Sequence, residues 1–310
     1  MKIKSLVRTL IIFACVCLMG ACDGKGEAQE KETQKEAVDS GVVRIAVTPT
    51  LDCMPLVVAE AYDMFESEGL NVKLVPFTAQ MDQDTALVGG SVMGMTTDLV
   101  RARRLEREGL SLTYATATIA HWLLLTGRMA RIKQLRQLDD KMLAMTRYSA
   151  TQLLSDKAVE MGGLKPERVF RIQVNDVAVR LRMLQGEMMD AELLPEPQAA
   201  VARADGAHVL LNSDSLNMQL GVVVFLREAV DTTALNAFRR AYDRACDTLN
   251  NCGLMTFAPL IEQHCNVAAN NLDSLPANYQ FRKVSEPRKA DLELVDTWWQ
   301  KQLNNHVDKR

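Results

Sequence analysis

From Gly41 onward, short apolar runs alternate with stretches in which apolar positions recur at three- and four-residue spacing. The runs 42–47, 72–77, 92–95 and 112–117 are too short for helices and too continuously apolar for half-exposed strands, so they read as buried strands. Between them the spacing predicts helices from Pro55 to about residue 68, over about 82–89 and from Leu99 through Leu105. Pro55 suits a first helical turn and Gly69 a helix end. The alternation then repeats, with strands expected at 141–145, 169–174, 191–194, 209–211 and 221–225 and helices at 149–161, 177–185 and 195–204. After Val230 the pattern turns helical: Asp231-Thr232-Thr233 caps a helix over 234–249, and a last helix over 292–303 carries Trp298 and Trp299. This alternation predicts an α/β protein whose mostly parallel sheets are covered on both faces. If the late helices return to the first unit, lobe I comprises 41–125 plus 222–310 and lobe II comprises 126–221. The chain then crosses between lobes at about Leu125–Gly127 and again at about Gln219–Val222.

Residues 1–21 stand outside this pattern. Lys2, Lys4 and Arg8 form a basic start, and the apolar run from Leu10 to Met19 falls well short of the ~20 residues that span a bilayer. The run closes on Leu18-Met19-Gly20-Ala21-Cys22, which resembles a bacterial lipobox with Met19 in place of the more usual Leu. The resemblance implies cleavage before Cys22 and acylation of its thiol, by palmitate or a similar chain. An ordinary signal peptide followed by an incidental Cys is the alternative. Residues 23–40 mix charges of both signs with Gly, Gln and Ser, so 22–40 reads as an acylated Cys on a flexible tether.

Composition narrows the function. The 310 residues are 48% hydrophobic and 24% charged, which is ordinary for a globular chain of about two folding units. A formal charge of −3 gives no basic field for nucleic acid, and 5% aromatic content gives little surface for stacking bases. Of the seven Cys, Cys15 and Cys17 leave with the leader and Cys22 is the lipidation site. Cys53, Cys246, Cys252 and Cys265 remain. Cys252 and Cys265 are candidates for a disulfide outside the cytoplasm, and buried, inert thiols are the commoner alternative. The set Cys246, Cys252, His264 and Cys265 lacks the short spacing that closes a zinc site, so neither metal nor other cofactor is expected.

Several short stretches carry a family resemblance when taken in order. They are Met54-Pro55-Leu56, the passage from Phe65 to Phe77, Ala86-Leu87-Val88-Gly89-Gly90-Ser91, Gly163 to Val169, Arg182 to Ala191, and Leu194-Pro195-Glu196-Pro197. The ordered set resembles ABC-transporter substrate-binding proteins of the nitrate, sulfonate, taurine and thiamine-precursor group. It covers nearly the whole chain from 41 to 300. The resemblance implies a bilobal, periplasmic-binding-protein-like fold (type 2) of two doubly wound sheets joined by a two-crossing hinge. It further implies a monomer outside the cytoplasm that holds a small molecule between its lobes. Its partners would be the permease and ATPase subunits of an ABC transporter, and it would touch the membrane through its lipid anchor alone.

Open α/β sheets bind ligands beyond the carboxyl ends of their strands, which selects the candidate contacts. In lobe I these are Thr50 and Asp52 after the first strand, Gln80 after the second, and Thr97 and Asp98 after the third. Each carboxylate has a second reading as a helix cap. In lobe II, Tyr148, Ser149 and Thr151 open a helix whose free N–H groups suit an anion. Asn175 follows the next strand, Glu196 sits at a strand-to-helix junction, and Trp122 near the first crossing offers a stacking face or a core anchor. Four acids, Asp52, Asp98, Asp176 and Glu196, stand against one basic candidate, Arg147. That balance favours an organic ligand with an amine, ring N–H or hydroxyl over a bare oxyanion. The rival functions are an enzyme on the same scaffold, of the menaquinone or pyrimidine-precursor lyase type, and a ligand-sensing lipoprotein without transport. None of His121, His208, His264 or His306 accompanies a Ser or Cys nucleophile in a strand-end loop, so no catalytic residue is expected.

Overall fold

A computed structural model of the chain describes residues 41–275 and 279–307. The expected leader, Cys22 and the tether lie outside the described residues. In the first half, β1 (Val42–Val47) leads to α1 (Met54–Ala61), β2 (Asn71–Pro76) to α2 (Gln80–Val88) and β3 (Gly94–Asp98) to α3 (Leu99–Arg107). Then β4 (Leu112–Ala117) is followed directly by β5 (Trp122–Thr126). Next come β6 (Lys141–Met145), α4 (Ala150–Met161), β7 (Val169–Gln173), α5 (Val177–Gln185), β8 (Ala191–Pro195), α6 (Gln198–Ala204) and β9 (His208–Asn212). The chain ends with β10 (Gly221–Leu226), α7 (Thr232–Cys252), α8 (Ala258–Cys265) and α9 (Lys289–Val307).

These strands build two sheets, in the orders β2-β1-β3-β10-β4 and β7-β6-β8-β5-β9. Each sheet is mixed rather than all parallel. β10 runs antiparallel to β3 and β4, and β5 runs antiparallel to β8 and β9. The cause is topological. β4 and β9 end at the side where the two sheets face each other, and the chain crosses over there. The strand that receives it must start at that side and run against its neighbours. The first crossing is therefore the segment 118–121, earlier than the expected Leu125–Gly127, because Trp122 to Thr126 already hydrogen-bonds into the second sheet. The second crossing is 213–220.

Both faces of each sheet are covered, and the strand sequences reflect it. In β10, Val223 and Phe225 pack with Phe238 and Tyr242 of α7, while Val222 and Val224 join Leu99 and Leu105 of α3 on the other face. In β5, Leu123 and Leu125 point to one face and Trp122 and Leu124 to the other. Apolar residues at consecutive positions are what a doubly covered strand requires. The last helix does not pack on lobe I alone. Trp299 Nε1 donates to the Val100 carbonyl at 3.0 Å, but Trp298 Nε1 donates to Asp156 of α4 at 2.8 Å. Cys53, Cys246, Cys252 and Cys265 are free thiols, so the Cys252–Cys265 bridge is not formed.

Candidate functional site

The strand ends of the two sheets meet across a cleft. On the lobe I side, the turn after β1 carries Thr48, Thr50 and Asp52, α2 begins at Gln80, and β3 ends in Thr96, Thr97 and Asp98. On the lobe II side, register pairs Trp122 with Pro195, which brings the start of β5 beside the end of β8. A cavity of about 30 Å³ remains at the centre. Its lining includes Thr50, Asp52, Gln80, Thr97 and Trp122 among the residues expected from sequence. It also includes Thr48, Thr96 and Arg180, which sequence reasoning passed over.

Asp52 is the acidic group of this cavity. Its carboxylate accepts from Thr50 Oγ1 at 2.6 Å and from Thr118 Oγ1 at 3.0 Å. Burial pushes its pKa above the ordinary carboxylate value, and the two hydroxyls oppose that rise. Thr118 belongs to the first crossing, so one end of the hinge is tied to the cavity floor. Cys53, next to Asp52, donates to Thr96 Oγ1 at 3.3 Å, and burial raises its thiol to about 12. A thiol held protonated in this way is a poor nucleophile.

The other three acids have protein partners. Asp98 caps α3 through Arg101 N at 3.1 Å and reaches across to Ala150 N of α4 at 3.0 Å. It takes the place at the α4 N-terminus that the sequence offered to a ligand anion. Asp176 caps α5 through Val179 N at 2.9 Å. Glu196 accepts from Ala200 N at 2.8 Å and from Arg203 Nη1 at 2.6 Å. Its side chain supports α6 rather than lining the cavity.

The stretch that opens α4 is also turned away from the cavity. Tyr148 stacks on Trp299 with 5.8 Å between ring centroids and has Arg104 over its ring. Ser149 Oγ accepts from Thr151 N at 3.2 Å, and Thr151 Oγ1 accepts from Thr146 N at 2.9 Å. These hydroxyls complete their own helix start. Asn175 lies at the rim, where its Nδ2 meets Met81 Sδ of the facing lobe at 3.2 Å. Arg147 contributes its carbonyl, which accepts from Arg101 Nη1 at 3.5 Å.

Arg180 was hidden by its setting. It lies on the stripe Val177, Arg180, Leu181, Leu184, the face of α5 that packs inward. A charged residue on an apolar helical face is the one signal that could have revealed it. Among the described residues, no group of three or more His, Cys, Asp or Glu is arranged to hold a metal ion. No helix among them is long and apolar enough to cross a membrane.

Against known proteins, the model of the NMT1-like family matches residues 36–254. No curated protein matches the sequence. Among solved structures, the alkanesulfonate-binding protein SsuA from Xanthomonas axonopodis pv. citri, bound to MOPS, superposes with a TM-score of 0.74 at 16% identity, covering 86% of this chain and 95% of that one. The periplasmic aliphatic sulphonate binding protein SsuA from Escherichia coli gives 0.69 at 18% identity, covering 84% and 93%. The periplasmic nitrate-binding protein NrtA from Synechocystis PCC 6803 gives 0.67 at 13% identity, covering 79% and 74%. At these identities the likeness is one of fold, the bilobal periplasmic-binding-protein architecture.

Proposed function

The chain belongs to the NMT1-like family, and from that premise we propose that it is an extracytoplasmic solute receptor of an ABC import system. It captures a small organic molecule or oxyanion between its lobes and hands it to a permease driven by ATPase subunits. The observation that carries this reading is the cavity where the strand ends of both sheets converge, lined by Asp52 of lobe I and by Trp122 and Arg180 of lobe II. Contacts come from both lobes, so binding energy can drive closure about the two crossings. The receptor reading needs no catalytic group, and Cys53, the thiol nearest the cavity, is held protonated. The sequence from Lys2 to Cys22 supports export and a lipid anchor at Cys22, which would keep the receptor near its permease at high effective concentration.

A thermal-shift screen of the protein lacking its leader tests this, using amino acids, sulfonates, pyrimidines, thiamine and polyamines. A ligand at 100 times its Kd should stabilise the fold by about 2.7 kcal/mol. Asp52→Ala should abolish that shift while the variant still unfolds cooperatively. A screen in which nothing stabilises the protein, or a ligand held equally well by Asp52→Ala, refutes the reading.

A further inference from the structure

Three of the four acids near the cleft are taken up by helix N-termini, which leaves Asp52 as the acid that lines the cavity. The group that balances it is Arg180. Its side chain lines the same cavity and is 2% exposed, and its Nε and Nη1 have no hydrogen-bond partner. Glu192, in β8, is wholly buried nearby, but both its carboxylate oxygens are also unpartnered. No ion pair joins the two: burial pushes the Glu192 carboxyl up to about 8, towards its neutral form and against the pull of Arg180, and Asp176, the other acid facing Arg180, is engaged at the start of α5. A buried guanidinium without an acceptor is strongly unfavourable, so a site is expected to supply one. Thr97, on the facing lobe, lines the cavity, and its buried Oγ1 is likewise unpartnered. Donors thus come from both lobes, and the same cavity carries the Asp52 carboxylate.

We propose that the cleft takes a small amphoteric organic molecule, its carboxylate or other oxyanion head held by Arg180 with Thr97 and its amine or ring N–H by Asp52. This rests on the solute-receptor reading above and narrows it. A planar guanidinium grips an oxyanion through paired N–H bonds, which gives orientation as well as attraction. A bare inorganic oxyanion would share this small cavity with the Asp52 carboxylate. A simple amine would leave Arg180 uncompensated. Either would bury an unpaired charge when the lobes close, whereas a molecule carrying both groups compensates both.

Calorimetric titration with matched probes tests the assignment. The panel comprises α-, β- and γ-amino acids and amino sulfonates, the amine-free acids butyrate and propionate, and the acid-free amine butylamine. The amphoteric binder should be held at least about tenfold tighter than its amine-free or acid-free analogue. Arg180→Met should weaken it about tenfold or more. Because that change leaves Glu192 buried without its facing cation, Arg180→Met/Glu192→Leu removes both buried ionisable groups. It should melt at or above the wild-type temperature without ligand while still failing to bind. Arg180→Lys should recover part of the affinity. If the double variant binds as wild type does, or if only neutral or purely cationic compounds bind, the assignment is overturned while the receptor reading stands. If no compound in this panel or the wider screen binds, both fall.

Discussion

Asp98 Oδ1 accepts from backbone N–H groups of two helices, one in each lobe, and it does so with no exposed surface. Burial, partly offset by Arg101 and by the two N–H groups, raises its pKa from the ordinary value to about 6. The consequence for stability has a definite sign. Between about pH 4 and about pH 6 the folded protein binds this proton more strongly than the unfolded chain. Stability from Asp98 is therefore fully present below the unfolded pKa and is lost as pH rises through the folded one. The span is at most about 3 kcal/mol. Asp98→Asn keeps an oxygen to accept from both N–H groups and cannot titrate. Urea unfolding of both proteins at several pH values should show wild type losing 1–3 kcal/mol relative to the variant from about pH 4 to about pH 7. A relative gain over that interval would mean that the N–H groups and Arg101 outweigh burial.

Among the elements, β10 ties the fold to the site. Gly221 begins it, opposite Asp98, and its carbonyl accepts from Thr118 N at 2.8 Å. A Cβ at Gly221 would collide with Thr118 Oγ1 and with Ala120, both in the first crossing. Gly221→Ala should cost about 1–3 kcal/mol in denaturant unfolding through that overpacking. It should also weaken ligand binding, because Thr118 is one of the two hydroxyls that hold Asp52. Unchanged stability together with unchanged affinity would show that this approach is not tight. Strands such as β1, β4 and β6 were legible in the sequence because short apolar runs flanked by polar turns leave few alternatives. β5 was not. It follows β4 with no helix between them, so it breaks the strand–helix alternation, and the apolar run from Trp122 to Leu125 was absorbed into the crossing. Pairing order was equally hidden, since antiparallel entry after a crossing depends on where the previous strand ends in space. The strand-end rule selects Thr50, Asp52, Gln80 and Thr97, and all four line the cavity. It could not say which carboxylates helices would claim, and Arg180 was concealed within an apolar stripe.

At the scale of the whole molecule, the two lobes are held in contact by more than the hinge. Leu51 N donates to the Glu196 carbonyl at 2.9 Å, Gln198 Nε2 to the Pro49 carbonyl at 2.7 Å, and Ser274 Oγ to the Ala200 carbonyl at 2.8 Å. Trp298 adds its bond to Asp156, and Ala79 pairs with Asp176 as an isolated antiparallel bridge across the cleft rim. A cavity of about 30 Å³ holds about one or two water molecules, so an organic molecule must enter while the lobes are apart. Opening then limits association, and a lock across the rim should block it. Residues paired as Ala79 and Asp176 are have Cα atoms about 4.5–5.5 Å apart, within the range a disulfide spans. Ala79→Cys/Asp176→Cys, built on Cys252→Ser because Cys252 is the exposed thiol among the described residues, should form that lock when oxidised. Stopped-flow binding of a ligand found in the screen should then slow by at least about tenfold and recover on adding a reductant, as expected for a binding-competent population that the lock removes. Association at the wild-type rate in the oxidised protein would mean that the ligand reaches its site without separation of the lobes at this rim, and lobe closure would not be the step that gates binding.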